Sequence, residues 1–123
     1  MARSTESILV VEDAEAVRKM VCATLTHNGY TCLEAAGGAE ALQMLNNGRT
    51  VHLVLTDIMM PKMGGWELAG HLARLKPEVR IIFMSGYAEE PYDAAPDKVK
   101  PEFLAKPFTA STLTETVRRV LDR

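Results

Sequence analysis

Short, nearly continuous apolar runs alternate along this chain with longer stretches whose apolar residues recur every three or four positions. That alternation leaves few folds open, because a buried run too short for a helix reads as a strand and each periodic stretch reads as an amphipathic helix. Ser7-Ile8-Leu9-Val10-Val11 suits a strand buried on both faces, and it runs into the acids Glu12 and Asp13. From residue 14 to 27, Val17, Met20, Val21 and Leu25 fall on one helical face, with Asn28-Gly29 as the stop. Thr31–Ala35 reads as a second strand, residues 38–45 as a helix closed by Asn46-Asn47-Gly48, and residues 51–56 as a third strand. After the turn Pro61-Lys62-Met63-Gly64-Gly65, Leu68, Leu72 and Leu75 mark a helix that Pro77 ends, and residues 80–84 give a fourth strand. Phe103-Leu104-Ala105 is a brief fifth strand. A helix capped by Thr109 follows it, with Leu113, Val117, Val120 and Leu121 on one stripe.

Strands alternating with helices predict right-handed crossovers and a parallel sheet covered on both faces, with any site where the strands' C-terminal ends emerge. The stretch between the fourth and fifth strands breaks the pattern, since Pro91, Pro96 and Pro101 each remove a donor and restrict the preceding residue. Residues 89–102 are therefore expected to form at most one or two helical turns, a shortened or irregular fourth helix. With 123 residues, 47% of them hydrophobic, the chain holds enough apolar material for one domain spanning residues 1–123.

Several function classes fall away on composition. The net charge of −2 is spread with both signs interspersed, which argues against a nucleic-acid surface. No apolar run approaches the ~20 residues that span a bilayer, and the first residues lack the apolar core of a signal peptide, so a cytoplasmic chain without direct membrane contact is expected. Cys22 and Cys32 lie in separate elements and match neither a CxxC pair nor a zinc framework; they read as reduced thiols. His27, His52 and His71 lie in unrelated elements and read as surface residues. Met59, Met60 and Met63 cluster at a turn without a Cys or His partner, so packing explains them better than copper or haem.

Chemistry concentrates at the strand ends: Glu12-Asp13 after the first, Asp57 after the third, Ser85 after the fourth and Lys106-Pro107 after the fifth. Three carboxylates on one edge repel unless a hard cation sits among them, and magnesium, which combines one or two carboxylates with waters and a phosphate, is the natural candidate. An Asp carboxylate is a competent nucleophile toward phosphorus when cationic and hydroxyl groups neutralise the transferring oxygens, roles that suit Lys106 and Ser85.

Val10-Val11-Glu12-Asp13, Asp57-Ile58-Met59-Met60-Pro61, Met84-Ser85-Gly86-Tyr87-Ala88 and Lys106-Pro107-Phe108 resemble the receiver domains of response regulators over essentially the whole chain. The resemblance implies an α/β, flavodoxin-like, doubly wound five-stranded parallel sheet in the order 2-1-3-4-5. It implies that Asp57 accepts a phosphoryl group and that Asp13 and the Met59 backbone carbonyl hold Mg2+, with Glu12 contacting the ion through water. Lys106 and Ser85 would then hold phosphoryl oxygens, and a cis Lys106-Pro107 peptide would aim Lys106 inward. Tyr87 would shield the phosphoryl group from water, while Phe103 reads equally as the family's mobile aromatic and as a plain core residue. Gly64 stands where the family often has an acid, and Gly86 where it usually has Ala.

With no room for an effector domain, the resemblance points to a relay role: the receiver part of a bacterial hybrid histidine kinase, of the alphaproteobacterial cell-cycle type, or a stand-alone response regulator. Its implied partners are a histidine kinase domain and a histidine phosphotransferase, met by a monomer. Phosphatase chemistry of the haloacid type fits poorly, since position 59 is Met59 rather than a second acid, and a flavin phosphate would be repelled by Glu12-Asp13. A degenerate receiver is disfavoured by the intact set of site residues.

Overall fold

Strand β1 (Ser7–Val11) is apolar at nearly every position and lies inside a sheet, between two neighbouring strands, where both of its faces are covered. The computed structural model describes residues 6–86 and 102–123. After β1 come α1 (Glu15–His27), β2 (Thr31–Ala35), α2 (Gly38–Asn46), β3 (Leu53–Asp57), α3 (Gly65–Leu75), β4 (Arg80–Ser85), β5 (Phe103–Ala105) and α4 (Ala110–Leu121). All strand pairs are parallel and the order is β2-β1-β3-β4-β5, the arrangement expected.

Alternation along the strands divides the core in two. Ile8, Val10, Leu53, Leu55, Ile82 and Met84 point to the side covered by α1 and α4, where Val21, Leu25, Leu113 and Val117 meet them. Leu9, Val11 and Val54 point the other way, onto Ala41 and Leu45 of α2 and Leu68 and Leu72 of α3. Each such buried aliphatic side chain contributes roughly 1.5–3 kcal/mol relative to exposure, so the two layers hold the sheet from both sides. A smaller aromatic group extends the core, with the Trp66 and Phe83 rings 4.2 Å apart and Phe103 5.8 Å from Trp66 in an edge-on approach.

Boundaries and faces differ from the sequence reading in places. The third strand begins at Leu53 rather than at position 51, where pairing with both β1 and β4 starts. It includes Asp57 because the β4 ladder continues to that residue, one position beyond the end of the β1 ladder at Thr56. Met20 and Leu75, assigned by spacing to the apolar faces of their helices, are 52% and 53% exposed. The helix faces that pack inward run instead through Val21, Cys22 and Leu25 in α1 and through Trp66, Leu68, Ala69 and Leu72 in α3. Thr109 does cap α4, its hydroxyl accepting from the Thr112 N–H at 3.0 Å, and Gly29 turns the chain after α1 with φ 97°. The expectation for residues 89–102 lies outside the described residues except at Glu102.

Candidate functional site

Because the strands are parallel, the residues that end them share one edge. Glu12 extends β1, its N–H donating to the Ala35 carbonyl at 3.1 Å, and Asp13 follows at the exposed rim. Asp57 closes β3 opposite Met84, which places Ser85, the last residue of β4, one position further out. Lys106 follows β5 and is anchored by its own N–H, which donates to the Ser85 carbonyl at 2.7 Å. The Lys106-Pro107 peptide is cis, as the resemblance implied.

These backbone positions bring the side chains together. Carboxylate oxygens of Glu12, Asp13 and Asp57 all lie within 4.8 Å of one another, an acidic pocket of the kind that binds magnesium. The Lys106 ammonium donates to Glu12 Oε1 at 3.0 Å and stands 3.4 Å from Asp57 Oδ2. Glu12 is 1% exposed and Asp57 9%, whereas Asp13 faces solvent. Ser85 is buried beside them. Met59 follows two residues after Asp57 with its side chain exposed. Tyr87 lies outside the described residues.

Burial is the main cause that pushes the Glu12 carboxyl above the usual carboxylate range. The Ala14 N–H, donating to Glu12 Oε2 at 3.1 Å, and Lys106 pull the other way, and the Asp57 charge adds a smaller upward push. Crowding of like charges is thus the lesser reason and desolvation the greater. Burial works against the Lys106 ammonium too, but its hydrogen bond to Glu12 and the charges of Asp57 and Glu12 outweigh it and hold the group above its ordinary value. One ammonium stands among three carboxyl groups, so the cluster is net negative when all three are ionised, the setting in which a divalent cation would be stabilised.

Two supports of this site were missed in the sequence. Arg18, one turn into α1, donates from Nη1 to the Glu12 carbonyl at 2.8 Å and from Nε to Glu34 Oε1 at 2.9 Å, so it fixes the end of β1 against β2. Only the pairing of β1 with β2 brings Glu34 into range, and one-dimensional spacing carries no sign of it. Gly65 opens α3 against the back of Asp57: a Cβ there would stand 2.5 Å from the Asp57 carbonyl oxygen. The Gly64-Gly65 pair was a readable signal, though it was read only as a turn. Gly65→Ala is expected to cost about 1–3 kcal/mol by overpacking against the Asp57 backbone, measured by urea unfolding. An unchanged unfolding midpoint would show that the contact relaxes freely.

Comparison with known proteins is consistent with this geometry. The family described as response regulator receiver domain matches residues 8–118. The chain is 40% identical over 119 residues to the sensor kinase CckA of Brucella abortus (strain 2308), covering 95% of this chain and 13% of that kinase. It is 33% identical over 117 residues to the response regulator receiver protein CpdR of the same organism, covering 93% of this chain and 95% of that protein. Among solved structures, the receiver domain of the hybrid histidine kinase CckA superposes with a TM-score of 0.78 at 34% identity, covering 94% of this chain and 98% of that one. The response regulator TrrA of Thermotoga maritima, solved in complex with Mg(2+)-BeF, superposes with a TM-score of 0.82 at 32% identity, covering 94% and 99%. Fold, strand-end chemistry and these likenesses agree, and the chain belongs to the response regulator receiver domain family.

Proposed function

We propose that this chain takes a phosphoryl group onto Asp57, with magnesium held by Asp13, Asp57 and the Met59 carbonyl and contacted by Glu12, and exchanges that group with a histidine phosphotransferase. The observation that carries this reading is the convergence of three carboxylates within 4.8 Å around an ammonium 3.0 Å from Glu12 and 3.4 Å from Asp57. Bound magnesium would supply positive charge to the transferring phosphoryl oxygens. Asp57 provides the attacking oxygen: its bond to phosphorus forms as the bond from phosphorus to the donor's histidine nitrogen breaks. Lys106, which bridges Glu12 and Asp57 in this arrangement, would turn toward a phosphoryl oxygen, and Ser85 would hold another. Phe103, half-buried against Trp66 and Phe83, and Pro107, next to Lys106, are the residues through which occupancy of the site would reach the surface; Tyr87 is assigned the shielding role.

The likeness to a sensor kinase favours the receiver part of a hybrid histidine kinase as the setting, and the end-to-end match with CpdR keeps a stand-alone regulator as the second reading. Among the described residues no helix is long and apolar enough to cross a membrane, which suits a cytoplasmic location. An apolar groove lined by Val17, Met20, Gly86, Lys106, Pro107 and Phe108 lies against the Lys106 side of the site. A helix presenting a histidine to Asp57 would cross it, so the phosphotransferase is assigned as its occupant. Met20→Glu should slow transfer from a phosphorylated histidine phosphotransferase about tenfold, the scale of one buried interface residue, while uptake from acetyl phosphate stays unchanged. Equal slowing with both donors, or with neither, removes the groove from the docking surface; no transfer to wild type in magnesium refutes the relay itself.

A further inference from the structure

β1 and β2 are parallel, so α1, which joins them, runs back along β2 in the opposite sense. The ion pair between Arg18 Nε and Glu34 Oε1, 2.9 Å long, sets the register of helix against strand. Four residues further along the helix is Cys22, and two residues back along the strand is Cys32. A helix rises about 6 Å over four residues and a strand about 6.6 Å over two, so the next rung of the same ladder sets Cys22 opposite Cys32. Cys22 Sγ indeed lies 3.9 Å from the carbonyl oxygen of Leu33, the residue after Cys32, and both cysteines pack against the same apolar cluster. Both thiols are free. The two thiol groups lie within hydrogen-bond reach of each other, and a disulfide would require their Cα atoms to stand within ~6.8 Å.

We propose that Cys22 and Cys32 are an oxidisable pair that closes into a reversible disulfide, tying α1 to the edge strand β2, when the chain meets a hydroperoxide. Each thiol is the other's polar neighbour, so either can supply the attacking sulfur and the other resolves it. With hydrogen peroxide, one thiolate attacks a peroxide oxygen, the O–O bond breaks, and the expelled hydroxide takes up a proton as water. The second sulfur then attacks the sulfenic acid sulfur, whose hydroxyl leaves as a second water with the second thiol's proton. Two electrons pass from the thiol pair to the peroxide. The element so tied carries Arg18, which steadies Glu12, and Met20 at the groove, so the redox state of the pair reaches the phosphoryl site through the position of α1.

Exposure of the full chain to hydrogen peroxide, followed by alkylation of remaining thiols and intact-mass measurement without reductant, tests this. The expected product is a monomer lighter by two hydrogens that takes up no alkyl group, yields one peptide pair joined through Cys22 and Cys32, and regains both alkylation sites after dithiothreitol. Cys22→Ser and Cys32→Ser should instead leave a sulfenic acid at the remaining cysteine that a dimedone probe traps. Peptide mapping of the wild type is independent of whether the Ser variants fold. Two alkylated cysteines after peroxide, a sulfinic acid without cross-link, or a dimer joined through Cys32 would each overturn the proposal.

Discussion

With magnesium and acetyl phosphate the chain is expected to gain one phosphoryl group, and Asp57→Asn is expected to gain none. The amide oxygen of Asn carries no full charge, and its attack would give an O-phosphoryl imidate with a protonated nitrogen in place of an acyl phosphate, so nothing offsets the loss of the nucleophile. Glu12 and Asp13 stand within reach of the same pocket, but Glu12 is committed to the Ala14 N–H and Lys106, and Asp13 faces solvent. Neither is placed to substitute. Intact-mass spectrometry reads the result directly; uptake by Asp57→Asn equal to wild type would assign the phosphoryl group to another residue. Lys106→Ala should keep the acceptor and lose charge stabilisation, slowing uptake about 10²-fold.

In a chelator, Asp57→Asn is expected to melt higher than the wild type and to gain less from magnesium. At ~5 Å and an effective dielectric of ~20, each like-charged pair costs about 3 kcal/mol before screening, and the Asp57 carboxylate faces two such partners. Its single attraction, to Lys106 at 3.4 Å, returns about 5 kcal/mol on the same scale, and burial of the charge adds to the repulsive side. A net relief of about 1 kcal/mol raises the melting temperature by about 4 °C. The sign of the pH dependence follows from Glu12. Its folded-state value lies above its ordinary 4.5, so protonation favours the fold: the stability that Glu12 contributes without metal is full below pH 4.5 and is lost as pH rises through the folded value, whereas Glu34 and Glu102, held below their ordinary values, contribute with the opposite sign. Magnesium is expected to bind the ionised cluster of the native state and to reverse that trend by mass action. Thermal melts of both proteins across this range, with chelator and with millimolar magnesium, check the account; a less stable metal-free Asp57→Asn would mean that the Lys106 attraction dominates the cluster.

The elements of the fold were legible because each is announced by a local rule. Five short apolar runs and four periodic stretches fall where the strands and described helices are, and Thr109, Gly29 and Pro77 mark ends by chemistry that acts within a few residues. The candidate site was legible for a related reason. In a parallel sheet every strand ends on the same edge, so Glu12, Asp57, Ser85 and Lys106 could be grouped by counting strands alone, and the strand order came from the family likeness rather than from the counting.

Tertiary structure decided what depends on distance between elements. Apolar spacing put Met20 and Leu75 on helix faces, yet both are exposed, because the width of a buried stripe is set by what packs against the helix and not by its own period. Arg18 reaching Glu34, Gly65 backing onto Asp57 and Cys22 lying opposite Cys32 all join residues whose separation along the chain says nothing of their separation in space. The sequence by itself determined which elements form and which residues stand at their ends, through local propensity and solvent exclusion. The packing of α1 on β2 and of α3 behind β3 decided how tightly those ends are held, and with it how the burial of Glu12 and the charges around Lys106 set the electrostatics of the site.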